Sequence, residues 1–117
     1  MSEYFYPLDG RKHYKDLEKT QKDMFQAFKN FNNEIFEKES SLPGKMKEPI
    51  AIGVAHTTQC PYCIEGHVRV AKKAGASNQE AGEAIFIAAA LRAGGAFAHS
   101  TIAMSTLNEM KRLEKEK

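Results

Sequence analysis

Residues 60–80 read CPYCIEGHVRVAKKAGASNQE, and the punctuation in this stretch decides the fold. Proline suits the first position of a helix, where its missing N–H has no intrahelical partner to lose. Pro61 therefore opens a helix and makes Cys60 its cap. Ile64, Val68 and Ala71 supply apolar positions at helical spacing. Gly75 suits a C-terminal stop, where the chain turns left-handed. Two residues later Ser77-x-x-Glu80 matches a capping box, which starts the next helix at once. The stretch thus reads as helix, stop, cap, helix.

Downstream, Ala81, Ala84, Ile85, Ala88 and Ala89 lie on one face, and small residues there let two helix backbones come close. Gly94-Gly95 is expected to break or bend this helix, with a further helix over 96–114. Upstream, a helix is expected over about 45–57, with Pro49 in its first turn and Glu48 near its N-terminus. Ser40, Ser41, Pro43 and Gly44 mark the loop before it. Residues 13–38 predict a first long helix with one apolar stripe: Tyr14, Leu17, Met24, Phe25, Phe28, Phe31, Ile35 and Phe36. That stripe reads as core. Residues 1–12 read as an N-terminal arm whose Tyr4, Phe5 and Tyr6 should pack on the body or on a neighbouring subunit. No segment alternates with the period of a strand, and there is no internal repeat. The expected fold is all-α, with one domain over 13–117.

Bulk composition excludes several functions. Lys and Arg number 17 against 15 Asp and Glu, a near-balance that argues against a nucleic-acid binder. The first residues carry no apolar signal region. The longest weakly charged runs, 49–64 and 84–91, fall short of the ~20 apolar residues of a membrane span. A cytoplasmic location is expected. The two cysteines stand three apart. In a reducing compartment such a pair is more often redox-active or metal-binding than a structural staple.

On one helix, Cys60, Cys63 and His67 fall within an arc of roughly 60°. Cys63 and His67, four apart, are neighbours. The helix N-terminus offers unpaired N–H groups and partial positive charge, and both stabilise a thiolate, the reactive form of cysteine. His67 can take or hold the thiol proton. Glu48, twelve residues before Cys60, is the candidate carboxylate to orient that histidine. Helix-dipole reasoning alone favours Cys60, at the exposed cap, as the activated thiol; adjacency to His67 favours Cys63. A zinc site is a second reading, with Cys60, Cys63, His67 and a fourth ligand from His56 or His99. Inert buried cysteines are a third. His99 reads either as a packed core or interface histidine or as a second polar group facing the thiols. Tyr62 either shapes access to the thiols or packs on the surface. His13 and His56 read as structural.

The run from Glu48 through Cys60-Pro-Tyr-Cys63 to His67 has the spacing E-x11-C-x2-C-x3-H. In this it resembles the AhpD-like alkylhydroperoxidase branch of the carboxymuconolactone decarboxylase family. The resemblance spans about 42–104, including the Leu-Pro-x-Lys lead-in, the Ala-rich helix and Gly94-Gly95. It implies an all-helical fold of five to six helices assembled as trimers or hexamers. It also implies reduction of hydroperoxides without a cofactor or metal, using electrons from a thiol or dithiol donor. Carried over, Cys63 is the peroxide-attacking thiol, Cys60 the resolving thiol, and His67 and Glu48 the proton relay. The decarboxylase branch is disfavoured, since it does not depend on a Cys-x-x-Cys pair. The competing functions are a protein thiol-disulfide reductase and a non-enzymatic zinc-binding or scaffold protein.

Overall fold

The computed structural model describes residues 6–117, and the expected packing of Tyr4 and Phe5 lies outside them. A 3-10 turn over Leu8–His13 leads into five α-helices: α1 (Tyr14–Thr20), α2 (Lys22–Phe36), α3 (Gly44–Thr58), α4 (Pro61–Lys73) and α5 (Asn78–Lys115). Among the described residues there is no strand.

The local signals around the cysteines act as the sequence implies. Cys60 caps α4 and Pro61 is its first residue. Gly75 is left-handed, with φ +98°. Ser77 and Glu80 form the reciprocal capping box, at 2.8 and 3.0 Å. α3 begins at Gly44, so Pro49 is its sixth residue and stands beyond the first turn, where it was expected. The helix continues through it.

The core lies where α3, α4 and α5 meet. Ile52 is fully buried, and Ala71 and Ala84 pack with it. Small side chains make this possible. A Cβ at Gly53 would sit 3.4 Å from the Ala84 carbonyl, so α3 and the start of α5 are nearly in backbone contact.

Three expectations are corrected. The first long helix is two helices. At Gln21 the backbone leaves the helical region (φ −147°, ψ 74°), and the Thr20 hydroxyl donates to the Leu17 carbonyl at 2.6 Å. That side-chain bond competes with helix continuation, and Tyr14 meets Phe25 across the break, ring centres 6.5 Å apart. Second, the stripe is not core in the single chain. No residue of α1 or α2 is buried, and Met24, Phe28 and Phe31 are each more than 60% exposed.

Third, Gly94-Gly95 does not end a helix. Glycine costs a helix interior only about 1 kcal/mol relative to alanine, and α5 runs unbroken for 38 residues. Continuity changes the membrane arithmetic as well. By length and composition α5 is long and apolar enough to cross a membrane, with an 18-residue window of mean hydropathy 1.3. The two runs read separately fell short of that.

The chain is far from spherical, with extents of 63 × 40 × 38 Å and a radius of gyration of 20.7 Å. A compact domain of this length has a radius near 13 Å. Its accessible surface is 9757 Å², against about 6,400 Å² for a compact monomer of this mass. The excess lies on α1, α2 and the distal half of α5.

Candidate active site

α3 ends on Gln59 in the left-handed region (φ 57°, ψ 43°), and the Cys60 N–H returns to the Ala55 carbonyl at 3.2 Å. This tight reversal delivers the chain to the start of α4 with Cys60 in extended conformation. The Cys60 sulfur accepts from the Cys63 N–H at 3.2 Å, the place a capping serine or aspartate oxygen takes. Cys60 and Cys63 are joined as a disulfide, their Cα atoms 5.2 Å apart. The cap is not the more exposed of the two. Cys60 is half-buried and Cys63 exposed, because the Cys60 side chain folds back over the first turn.

One turn beyond Cys63, His67 is half-buried, and its Nδ1 lies 2.8 Å from Glu48 Oε2. Glu48 is the one charged side chain buried among the described residues. A buried carboxylate is tolerable only when paired or hydrogen-bonded, and His67 supplies that partner across 19 residues of chain. An ionised Glu48 accepts from Nδ1–H, which leaves Nε2 as the basic nitrogen. Phe36 closes the other side. Its ring centre is 5.0 Å from that of His67, with a 40° tilt. Nothing in the helical spacing of Phe36 marked it as part of the site, since its contact is long-range.

Cys63 and His67 line a cavity of about 350 Å³ between α2, α3 and α4. Its walls are mainly apolar, with Ile35, Phe36, Ile50 and Val54 among them. Cys60 is not in the lining, so of the two cysteines it is Cys63 that borders this space. A larger groove of about 500 Å³ runs between α3 and α5, rimmed by Glu80 and Glu83 and carrying neither thiol nor imidazole.

The remaining sequence candidates lie elsewhere. His99 is exposed on distal α5, its Nδ1 2.9 Å from the Gly95 carbonyl one turn back. His56 turns to the Ile52 carbonyl in the same way, at 2.8 Å. Neither completes a tetrahedral set, and among the described residues no group of three or more His, Cys, Asp or Glu is placed to hold a metal ion. Tyr62 receives the N-terminal segment. Tyr6 meets it edge-on at 4.9 Å and donates to the Pro61 carbonyl at 3.3 Å. Arg11 donates to the Tyr62 carbonyl and pairs with Glu65 at 3.2 Å. Both carbonyls belong to the residues between the cysteines. Arg11, Glu65 and Phe36 are the contacts that reading the sequence missed.

The family model for the carboxymuconolactone decarboxylase family matches residues 22–106. The chain belongs to the carboxymuconolactone decarboxylase family. Glu48, Cys60, Cys63, His67 and His99 all fall inside the matched range, whereas Tyr6 and Arg11 precede it. A Paracoccus denitrificans protein called "uncharacterized protein 4 in cox locus" is 49% identical over 72 residues. That alignment covers 62% of this chain and 65% of the relative, so the chain spans just under two thirds of the relative's length. A crystal structure of a Methanobacterium thermoautotrophicum protein superposes with a TM-score of 0.68 at 28% identity. It covers 73% of this chain and 94% of the other.

Proposed function

We propose that the chain is a thiol-dependent peroxidase that reduces hydroperoxides through Cys63 and Cys60. The observation that carries this reading is the Cys60–Cys63 disulfide standing on the helix whose next turn holds His67 against Glu48. In the reduced protein, His67 takes the Cys63 proton and the helix N-terminus favours the thiolate. The thiolate attacks one peroxide oxygen, and the O–O bond breaks. The other oxygen leaves as an alcohol with the proton His67 returns, and Cys63 becomes a sulfenic acid. The Cys60 thiol displaces that hydroxyl as water and forms the disulfide. A thiol or dithiol donor then supplies two electrons and two protons to restore both thiols.

The decarboxylase chemistry in the family's name gives no role to a redox pair, whereas peroxide reduction uses every polar group of this site. The deciding experiment counts thiols and mass together. One equivalent of an organic hydroperoxide should take the reduced chain from two free thiols to none. The mass should fall by two hydrogens, with no cross-linked dimer. Two surviving thiols and unconsumed peroxide, alongside rapid exchange with protein disulfides, would move the reading to a thiol-disulfide reductase.

Two further parts of this reading concern assembly and place. A closed homo-oligomer, a trimer or hexamer, covers α2 and distal α5; the excess surface and the exposed apolar side chains support it. The same assembly, rather than a bilayer, would cover the apolar stretch of α5, whose 18-residue window is only 6% buried in the single chain. Ala84 and Ala88 are buried where α5 packs on α3, and Arg92 donates to the Thr57 carbonyl at 2.7 Å. A dithiol that must be reduced again after each turnover fits the cytoplasm.

A further inference from the structure

Lys47 precedes the buried Glu48 on α3, yet it serves another helix. Its ammonium donates to the Ile35 carbonyl at 2.6 Å and to the Lys38 carbonyl at 2.8 Å. These carbonyls bracket Phe36, the last residue of α2, and its cap Glu37: the first belongs to the last turn of the helix and the second lies two residues past its end. Carbonyls at a helix C-terminus lack intrahelical partners and carry partial negative charge, so a cation there satisfies both. No α2 side chain is buried, so packing alone holds the end of this helix weakly.

The ring of Phe36 lies against the imidazole of His67. The bond from His67 Nδ1 to Glu48 fixes one edge of the imidazole but leaves it free to swing about the line of that bond. The Phe36 ring, centred 5.0 Å from the imidazole and tilted 40° to it, blocks that swing. Consecutive residues of α3 thus supply both constraints, Glu48 directly and Lys47 through the end of α2.

We propose that Lys47 is a positioning residue for His67: by clamping both carbonyls around Phe36 it holds the ring that fixes the imidazole plane beside Cys63. The proposal rests on the reading that His67 handles the Cys63 proton. It does not need the substrate to be a peroxide.

The test is the rate of Cys63 alkylation by iodoacetamide in the Cys60→Ser chain, followed from acid to alkaline pH with the unfolding midpoint recorded alongside. Lys47→Met should slow alkylation about 10-fold near neutral pH, a modest share of the ~100-fold that a 1 Å misplacement can cost. The loss should vanish at alkaline pH, where hydroxide makes the thiolate unaided. Lys47→Arg should restore the rate, since a guanidinium fork also reaches two carbonyls. Phe36→Ala should show the same loss, and adding Lys47→Met to it should change nothing more, as expected when one residue acts through the other. Phe36→Leu keeps the clamp and an apolar side chain while removing the ring, and should also slow alkylation even where Lys47→Met does not fold.

A Lys47→Met chain with a lowered midpoint but an unchanged alkylation profile would overturn the proposal. So would losses that multiply in the double variant. Failure of the peroxidase reading shows separately, as unreacted hydroperoxide in a chain whose alkylation still depends on Lys47.

Discussion

Two parts of this molecule are similarly rich in apolar residues and meet opposite fates. Where α3, α4 and the first half of α5 meet, Ile52, Ala55, Ala71, Ala84 and Ala88 are buried, and Glu48 is buried among them. Along α2 and distal α5, Phe28, Phe31 and Phe97 face outward, Phe97 81% exposed. Side-chain size separates the two. Alanine and glycine let backbones approach until one chain buries its own surface, as α3 and α5 do at Gly53. Phenylalanine and methionine hold backbones apart and need a second surface to cover them. The first part carries Glu48, the cysteines and His67, and the second leaves its large apolar side chains uncovered in the single chain.

The largest effect expected lies in the site-building part. His67→Ala and Glu48→Gln should leave both thiols present but slow their reaction with hydroperoxide by ~100- to 10,000-fold, the usual worth of general acid–base help. Stopped-flow measurement at several pH values checks this, with the deficit shrinking as pH rises. A next step down, Ile52→Ala should cost about 2–5 kcal/mol in denaturant unfolding, as large-to-small changes in a packed core do.

The same truncation in the other part should behave differently. Phe28→Ala, with Phe31→Ala, should lower the mass seen by light scattering at micromolar concentration. Association should weaken by about 10- to 100-fold per ring, since burying a phenylalanine is worth about 1.5–3 kcal/mol. Unchanged mass together with a large loss of intrinsic stability would mean the stripe is covered within the chain after all, and the contrast between the parts would fail.

The smallest effect concerns the cap of α5. Hydrogen bonds from the Ser77 backbone N–H and hydroxyl hold the Glu80 carboxyl below its ordinary value of 4.5. A lowered carboxyl stabilises the fold above the unfolded value, and this contribution is lost as pH falls through the folded one. Glu80→Gln should therefore lower the melting temperature slightly at neutral pH, with no difference left in acid. Thermal melts at the two pH values decide it.

What was legible in the sequence was local. Cys60, Pro61, Gly75 and the Ser77–Glu80 box each state a backbone requirement within four residues, and each is met. The Glu48–Cys60–Cys63–His67 pattern was legible because three of its members share a helix and the histidine called for a carboxylate, with Glu48 the candidate; the family resemblance then matched all four positions. What misled were features whose outcome depends on partners. The α2 stripe has the period of a core helix whether its cover is the same chain or another. Gly94-Gly95 weakens a helix without specifying its end. Phe36 and Lys47 reach the site only through tertiary contacts that no spacing encodes.

The division of labour between the two sulfurs is the claim most open to a direct test. Each single variant, Cys60→Ser and Cys63→Ser, is reduced, given one equivalent of organic hydroperoxide with a sulfenic-acid trap, and weighed by mass spectrometry. The account predicts that Cys60→Ser consumes one equivalent and carries the trap on Cys63, the sulfur at the cavity, while Cys63→Ser leaves the peroxide untouched. A trap found on Cys60, with Cys63→Ser still reactive, would contradict it and make the helix cap, rather than His67, the source of the reactive thiolate.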